Sequence, residues 1–173
     1  QRRVLKRNAS LEVRVQSPPE FSVDRMELYN HYREVQAAIR GWQPNRMTPK
    51  SYVREFVVGP SAMIEISVWE AGRLVAVLMA DQEPDILTAV THFHDPALSR
   101  RSVGLFTVLQ AFFLAQRMGK KWIYLGYYVP GSPSMGYKKQ FQPCDLRSWD
   151  GDWKRIPQGV LHGIASKGDD ASA

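Results

Sequence analysis

The sequence predicts an α/β (α+β) fold, a mixed sheet flanked by helices. Three observations carry the expectation. Residues 73–80 (RLVAVLMA) are almost wholly apolar, as a strand covered on both faces must be. Residues 62–69 (AMIEISVW) alternate before them, residues 86–94 form a third strand after them, and turns at Glu70-Ala71-Gly72 and Glu83-Pro84-Asp85 separate the three. A strongly apolar helical run from about Ser102 to Met118 then leads straight into another buried-strand pattern at 121–128 (KWIYLGYY).

The remaining elements follow in chain order. Residues 1–16 are basic, then alternate loosely through Leu11, Val13 and Val15, which predicts a short strand broken by Pro18-Pro19. Ser22 is placed to cap a helix running to about Arg40, with Met26, Tyr29, Tyr32, Val35 and Ile39 on one face and Gly41 as its stop. Thr48-Pro49 starts a second helix, with proline at the first helical position, and Gly59-Pro60 closes it. Asp95-Pro96 ends the third strand, and Gly119 ends the apolar helix. On the strand at 121–128, Tyr124 and Tyr128 share a face and Tyr127 takes the other. A Gly-Pro-Ser loop, a short helix near 134–140 and one or two edge strands complete the chain to about Ile156. The expected organisation is one domain over 1–160 and a small, polar, disordered tail over 161–173. This order of elements also suits the acyltransferase superfamily with the N-acetyltransferase-like (GNAT) fold.

Composition bounds the partners. The 173 residues suit one domain, and 44% hydrophobic residues are enough for a sizeable core. The net charge of +6 favours a polyanion such as RNA, although an excess of this size also describes an ordinary solvated surface. Cys144 is the only cysteine, which rules out an intrachain disulfide and a cysteine-cluster metal site and fits a reducing, cytoplasmic location. No apolar run approaches the ~18 residues that span a bilayer, so no membrane partner is expected. The basic start has no apolar segment after it, unlike a secretory signal. The first residue is Gln1 rather than methionine, so a fragment, a processed chain or trimmed ends are expected.

The chemistry concentrates in residues 99–146. Arg101-Ser102-Val103-Gly104 opens the apolar helix, where free N–H groups attract anions. Tyr124-Leu125-Gly126-Tyr127-Tyr128 follows, then Gly131-Ser132-Pro133-Ser134-Met135-Gly136-Tyr137-Lys138, then Phe141-Gln142-Pro143-Cys144-Asp145-Leu146. In this order the motifs resemble the C-terminal domain of the arginyl-tRNA–protein transferases and their bacterial relatives, the aspartate/glutamate leucyltransferases, whose pattern runs approximately YLGYW, a short loop, KMxYK, then an aromatic residue and a proline. The resemblance extends back to Asp95-Pro96, Asp81 and the opening QRRVLKRN.

The resemblance implies an aminoacyltransferase. An acceptor α-amine, classically on an N-terminal Asp or Glu of a protein, attacks the ester carbonyl of aminoacyl-tRNA, and the ribose of the tRNA leaves. The ester is already activated, so positioning, charge stabilisation and a base for the ammonium proton suffice, with neither metal nor cofactor required. Arginine is favoured weakly as the transferred residue and leucine comes next.

Asp81, Tyr127 and Lys138 are the candidate catalytic residues. Arg101, Ser102, Gly104, Tyr124, Tyr128, Ser132, Met135 and Tyr137 are candidates for substrate binding. Each has a plainer alternative: Asp81 as a turn aspartate, Ser102 as a capping serine with Gly104 structural, some of the tyrosines as core, and Lys138 as a solvated lysine.

Three departures from the family pattern stand out. Ser134 replaces the usual lysine, His92 and His94 occupy positions where hydroxyl or aromatic residues are usual, and the family's N-terminal domain with its cysteine cluster is absent from the sequence given. The two histidines share a strand face, but no third metal ligand is evident. Acetyl-coenzyme A enzymes hold pyrophosphate on an Arg/Gln-x-x-Gly-x-Gly/Ala loop, and Phe106 stands here at the last small position. Bulk at Leu105 and Phe106 is expected to crowd a pyrophosphate. A coenzyme A-dependent N-acyltransferase and a degenerate tRNA- or protein-binding domain remain the alternatives.

Overall fold

The computed structural model describes residues 1–156 apart from 42, 44, 59–61 and 133–134. The closing signal at Gly59-Pro60, the substitution at Ser134 and the tail at 161–173 therefore lie outside the described residues. Residues 1–126 form one compact unit, and a second begins at Tyr127.

Helix α1, Arg2–Arg7, was not expected from the sequence. Only Val4 and Leu5 of its six residues are apolar, too few for a period to show. Those two pack on a cluster of Leu11, Val68, Val75, Ala76, Val103 and Phe106. Asn8 ends the helix. Its fully buried side-chain amide donates to the carbonyls of Val4 and Arg101, both at 2.9 Å.

Strand β1, Glu12–Gln16, pairs antiparallel with β2, Met63–Glu70. Strands β3, Arg73–Gln82, and β4, Ile86–His94, continue the antiparallel run. Strand β5, Trp122–Tyr124, adds parallel to β4 after the crossover helix α4, Val103–Arg117, the kind of connection that parallel pairing requires. The sheet order is β1-β2-β3-β4-β5. At the β2–β3 turn, Ala71 and Gly72 both take positive φ, as a two-residue type I′ hairpin demands.

Local signals set the helices as expected. The Ser22 hydroxyl accepts from the amide of Arg25 to cap α2, Val23–Arg40, and Gly41 closes it in the left-handed conformation. Thr48 and Ser51 form a capping box for α3, Pro49–Tyr52, which continues as a π-turn over Val53–Val57. Asn30 pins the intervening loop by bonding both the amide and the carbonyl of Met47. Helices α2 and α3 cover one side of the sheet with Tyr29, Tyr52, Phe56, Met63, Val77, Met79 and Phe93, so the sheet is buried on both faces.

Several expectations need correcting. Ile39 does not belong to the buried face of α2; it is 72% exposed. The alternation of β2 leaves no wet face, because Met63 through Val68 are all buried. Its polar positions find partners inside instead. Glu65, at 0% exposure, receives both Nε and Nη2 of Arg25 at 2.8–3.0 Å, and Ser67 accepts from the Trp69 indole. Strand β5 covers only Trp122–Tyr124. Gly126, at φ 73, turns the chain out of the strand, so Tyr127 and Tyr128 have no strand faces to share with Tyr124.

In the second unit, a 3₁₀ turn at Gly136–Gln140 precedes β6, Cys144–Arg147, and β7, Trp153–Ile156. These two strands pair with each other as a separate two-stranded sheet rather than extending the large one as edge strands. A tight loop from Ser148 to Asp152, closed by the Ser148 amide on the Asp152 carbonyl, makes them a hairpin. Cys144 is a half-buried free thiol.

Candidate active site

Strands β4 and β5 pair at only three positions, Ile86/Trp122, Leu87/Ile123 and Thr88/Tyr124. Strand β4 runs on to His94, and among the described residues no strand pairs with that stretch on its outer side. The two strands therefore part after Thr88 and open a wedge with Thr88 and Tyr124 at its vertex. Asp81 on β3 pairs with that same Thr88. Opposed residues share a face, so Asp81, Thr88 and Tyr124 form one row across three strands. Met79, two residues before Asp81 on β3, belongs to the α2–α3 core, so the row lies on that face of the sheet. Asp81 is half-buried within β3 rather than in the turn after it, and Tyr124 is 38% exposed. Nothing in the sequence marks Thr88; only the pairing register reveals it.

The far end of β4 meets the start of α4. A 3₁₀ turn, Pro96–Arg101, leads into the helix, and Ser102 stands between them at φ 58, ψ 43. The Ser102 side chain makes no capping bond, so the capping alternative does not hold. The Arg101 guanidinium bonds Glu70 at 2.5 Å. Of the two bulky residues of that turn, Phe106 is 4% exposed in the core and Leu105 is half-buried. Beside Gly104 the close neighbours are histidines. A Cβ at Gly104 would lie 2.9 Å from Cε1 and Nδ1 of His94 and 3.6 Å from Cδ2 of His92. The two imidazoles stack at 6.2 Å, and Tyr32 of α2 packs on His94 at 5.1 Å. Among the described residues no group of three potential ligands is placed to hold a metal ion.

Two expected results follow from this packing. Gly104→Ala should destabilise the chain by about 1–3 kcal/mol, the range for overpacking. In a Gly104→Ala/His94→Ala double variant the obstacle is gone and alanine's helix preference of about 1 kcal/mol is released, so the double should match or exceed the His94→Ala single. Additive losses in urea unfolding would show that His94 is not the obstacle.

The second result concerns pH. Burial pushes the His94 imidazole below its ordinary value of 6.5, with Asp95 opposing the shift, and its Nδ1 is buried without a hydrogen bond. The unfolded chain therefore takes up that proton near pH 6.5 and the folded chain only at lower pH. Stability should be flat above about pH 7 and fall as pH drops below about 6.5. His94→Phe should remove that part of the slope; an unchanged slope would assign it to another group.

The remaining candidates lie in the second unit. Lys138 is half-buried, and its Nζ donates to the Tyr127 carbonyl at 2.6 Å, so it is not simply a solvated lysine. Burial lowers its pKa. The Met135 amide bonds the Ser132 carbonyl and the Lys138 amide bonds the Met135 carbonyl, which folds Tyr127, Ser132, Met135 and Lys138 into one loop. Tyr127 is 80% exposed, Tyr128 is half-buried, and Tyr137 packs edge-on against Phe141 at 6.4 Å.

A mixed sheet with a β4–α4–β5 unit that splays into a wedge defines the fold of the N-acetyltransferase-like acyltransferases. A possible acetyltransferase from Clostridium difficile 630 shares it, with a TM-score of 0.57 over 85% of this chain and 99% of that one at 10% identity. Residues 24–148 match the family model described as arginine-tRNA-protein transferase, C terminus, and the chain belongs to that family. It is 36% identical over 94% of its length to an aspartate/glutamate leucyltransferase of Dinoroseobacter shibae, covering 59% of that protein. It is 31% identical over 84% of its length to the protein of that name from Helicobacter hepaticus, covering 60%. The chain thus spans about three fifths of the length of these relatives. No helix among the described residues is long and apolar enough to cross a membrane.

Proposed function

We propose that this chain carries the transferase part of an aminoacyl-tRNA–protein transferase. It would move an amino acid from its tRNA ester to the α-amine of a protein or peptide with an acidic N-terminus. The family match over residues 24–148 carries this reading, and the wedge with a carboxylate in the row at its vertex supports it. Relatives named aspartate/glutamate leucyltransferase make leucine the first donor to test, ahead of the arginine that the motifs alone favoured. Because the donor is charged tRNA, the reaction belongs in the cytoplasm.

The amine lone pair attacks the ester carbonyl, the carbonyl carbon becomes tetrahedral, and the bond to the ribose oxygen breaks as the peptide bond forms. Asp81 accepts the proton that the acceptor ammonium must lose, and the departing ribose oxygen ends as a hydroxyl. Tyr124 at the vertex offers a flat ring to the terminal adenine or the aminoacyl group, and in the second unit Tyr128 and Tyr137 are candidates for the same kind of contact. Ser102 offers its hydroxyl and the free N–H groups at the start of α4 to the donor end, Gly104 lets that turn pack against His94, and Arg101, held by Glu70, fixes the turn. Lys138 sets the loop bearing Tyr127, Ser132 and Met135, and its ammonium keeps donors for an acidic acceptor side chain.

The test uses radiolabelled leucyl- and arginyl-tRNA with peptides beginning in Asp, Glu or a neutral residue. Incorporation into the acidic peptides is expected. Acetyl transfer from acetyl-coenzyme A, with no aminoacyl transfer from either tRNA, would overturn the reading.

A further inference from the structure

The positive charge of this chain is unevenly placed. Helix α1 carries Arg2, Arg3, Lys6 and Arg7, and the first acidic residue after it is Glu12, already paired with Arg14. Without these four cations the formal charge of +6 would fall to +2. All four are exposed, and so is Arg100 in the 3₁₀ turn against which α1 docks. Among the described residues none of the five is held in a salt bridge, whereas the neighbouring cations Arg73 and Arg101 are neutralised by Asp95 and Glu70.

This basic surface is rigidly tied to the start of α4. Val4 and Leu5 anchor the inner side of α1 in the core. The Arg7 guanidinium donates to the Arg100 carbonyl at 2.6 Å, and the buried Asn8 amide donates to the Arg101 carbonyl. The next residue is Ser102, where the helix turn facing the end of β4 begins. Unneutralised cations on a helix anchored to that turn, with Arg100 two residues before Ser102, fit a polyanion whose end enters the wedge.

We infer that α1 and Arg100 form a docking surface for the phosphate backbone of the duplex next to the aminoacylated end of the donor RNA, reading charge rather than sequence. The inference rests on the proposed aminoacyl-tRNA reaction. The row of side chains suits successive phosphates, which arginine binds through its fork of donors.

The test replaces the exposed cations Arg2→Gln, Arg3→Gln, Lys6→Gln and Arg100→Gln together. Arg7 is kept because it holds the turn, and glutamine preserves helix propensity. A control of equal charge carries Lys50→Gln, Arg54→Gln, Arg117→Gln and Lys154→Gln, all exposed on other elements. Aminoacyl-tRNA binding is measured against salt for all three proteins, and transfer is measured from full aminoacyl-tRNA and from an aminoacylated CCA trinucleotide that lacks a duplex.

The patch variant should lose about 10- to 100-fold in tRNA affinity at ~0.1 M salt and flatten the log–log salt dependence by about 0.9 for each phosphate contact removed. Its transfer from the trinucleotide should match the parent, and the control should stay near the parent throughout. Equal losses in patch and control variants, or unchanged tRNA binding by the patch variant, would overturn the inference. So would patch-dependent binding to phosphatidylserine vesicles with tRNA affinity unaltered. If the parent transfers from neither donor, the proposed reaction fails on its own, and the tRNA-binding curves still decide the patch.

Discussion

Glu65→Ala is expected to cost about 3–5 kcal/mol of stability, the range for removing one partner of a buried ion pair. Glu65 is wholly buried and Arg25 is 8% exposed, so the variant leaves a guanidinium in the core with little water to replace the carboxylate. Arginine does not lose its proton in proteins, so the guanidinium cannot escape by deprotonating. What remains for it is the Ser22 hydroxyl at 3.1 Å, the Trp69 ring at 6.0 Å and the weaker, more distant charge of Glu20. A domain of this size loses about 2–4 °C of Tm per kcal/mol, so the melt should shift by roughly ten degrees. The double variant Arg25→Met/Glu65→Leu removes both charges while keeping the volume, and should recover most of the loss. A single-variant loss below about 1 kcal/mol in urea unfolding would mean that water reaches the pair.

That pair also marks where the sequence stopped being informative. Glu65 lies among alternating residues in β2, and alternation ordinarily means one wet face. The wet face does not exist here, because α2 covers it and places Arg25 opposite. A long-range partner forty residues away leaves no local trace. By contrast, β3 was legible because seven successive apolar residues, Leu74 to Ala80, have few other uses, and α2 because its Ser22 cap and Gly41 stop act within a few bonds of the helix ends. The same contrast holds at the candidate site. Asp81 and Tyr124 stood out from motif context, but their common neighbour Thr88 is a register fact. Gly104 read as an anion-site glycine, yet what its missing side chain visibly admits is the His94 ring. The end of β5 was misjudged because Tyr127 and Tyr128 are as strand-like in type as Tyr124, and one left-handed glycine between them overrides that preference.

The largest effect on activity is expected from Asp81→Asn. The acceptor enters as an α-ammonium, with an ordinary pKa near ~8, and only its free amine can attack the ester. If Asp81 takes that proton, asparagine keeps nearly the same shape and its carbonyl oxygen but cannot accept it. The rate of transfer should then fall by about 10²- to 10⁴-fold, the usual contribution of a positioned base. Stability should change little, because the substitution is nearly isosteric at a half-buried position near the end of β3. Donor binding should also hold, since aminoacyl-tRNA can dock before the acceptor loses its proton. The pH dependence separates a lost base from a distorted site. Between about pH 7 and pH 9 the acceptor increasingly deprotonates itself, so the variant should regain activity relative to the parent as pH rises. A distorted wedge would stay equally poor at every pH. Transfer within about twofold of the parent at neutral pH would remove Asp81 from the chemistry and leave the Asp81–Thr88–Tyr124 row a feature of the sheet alone.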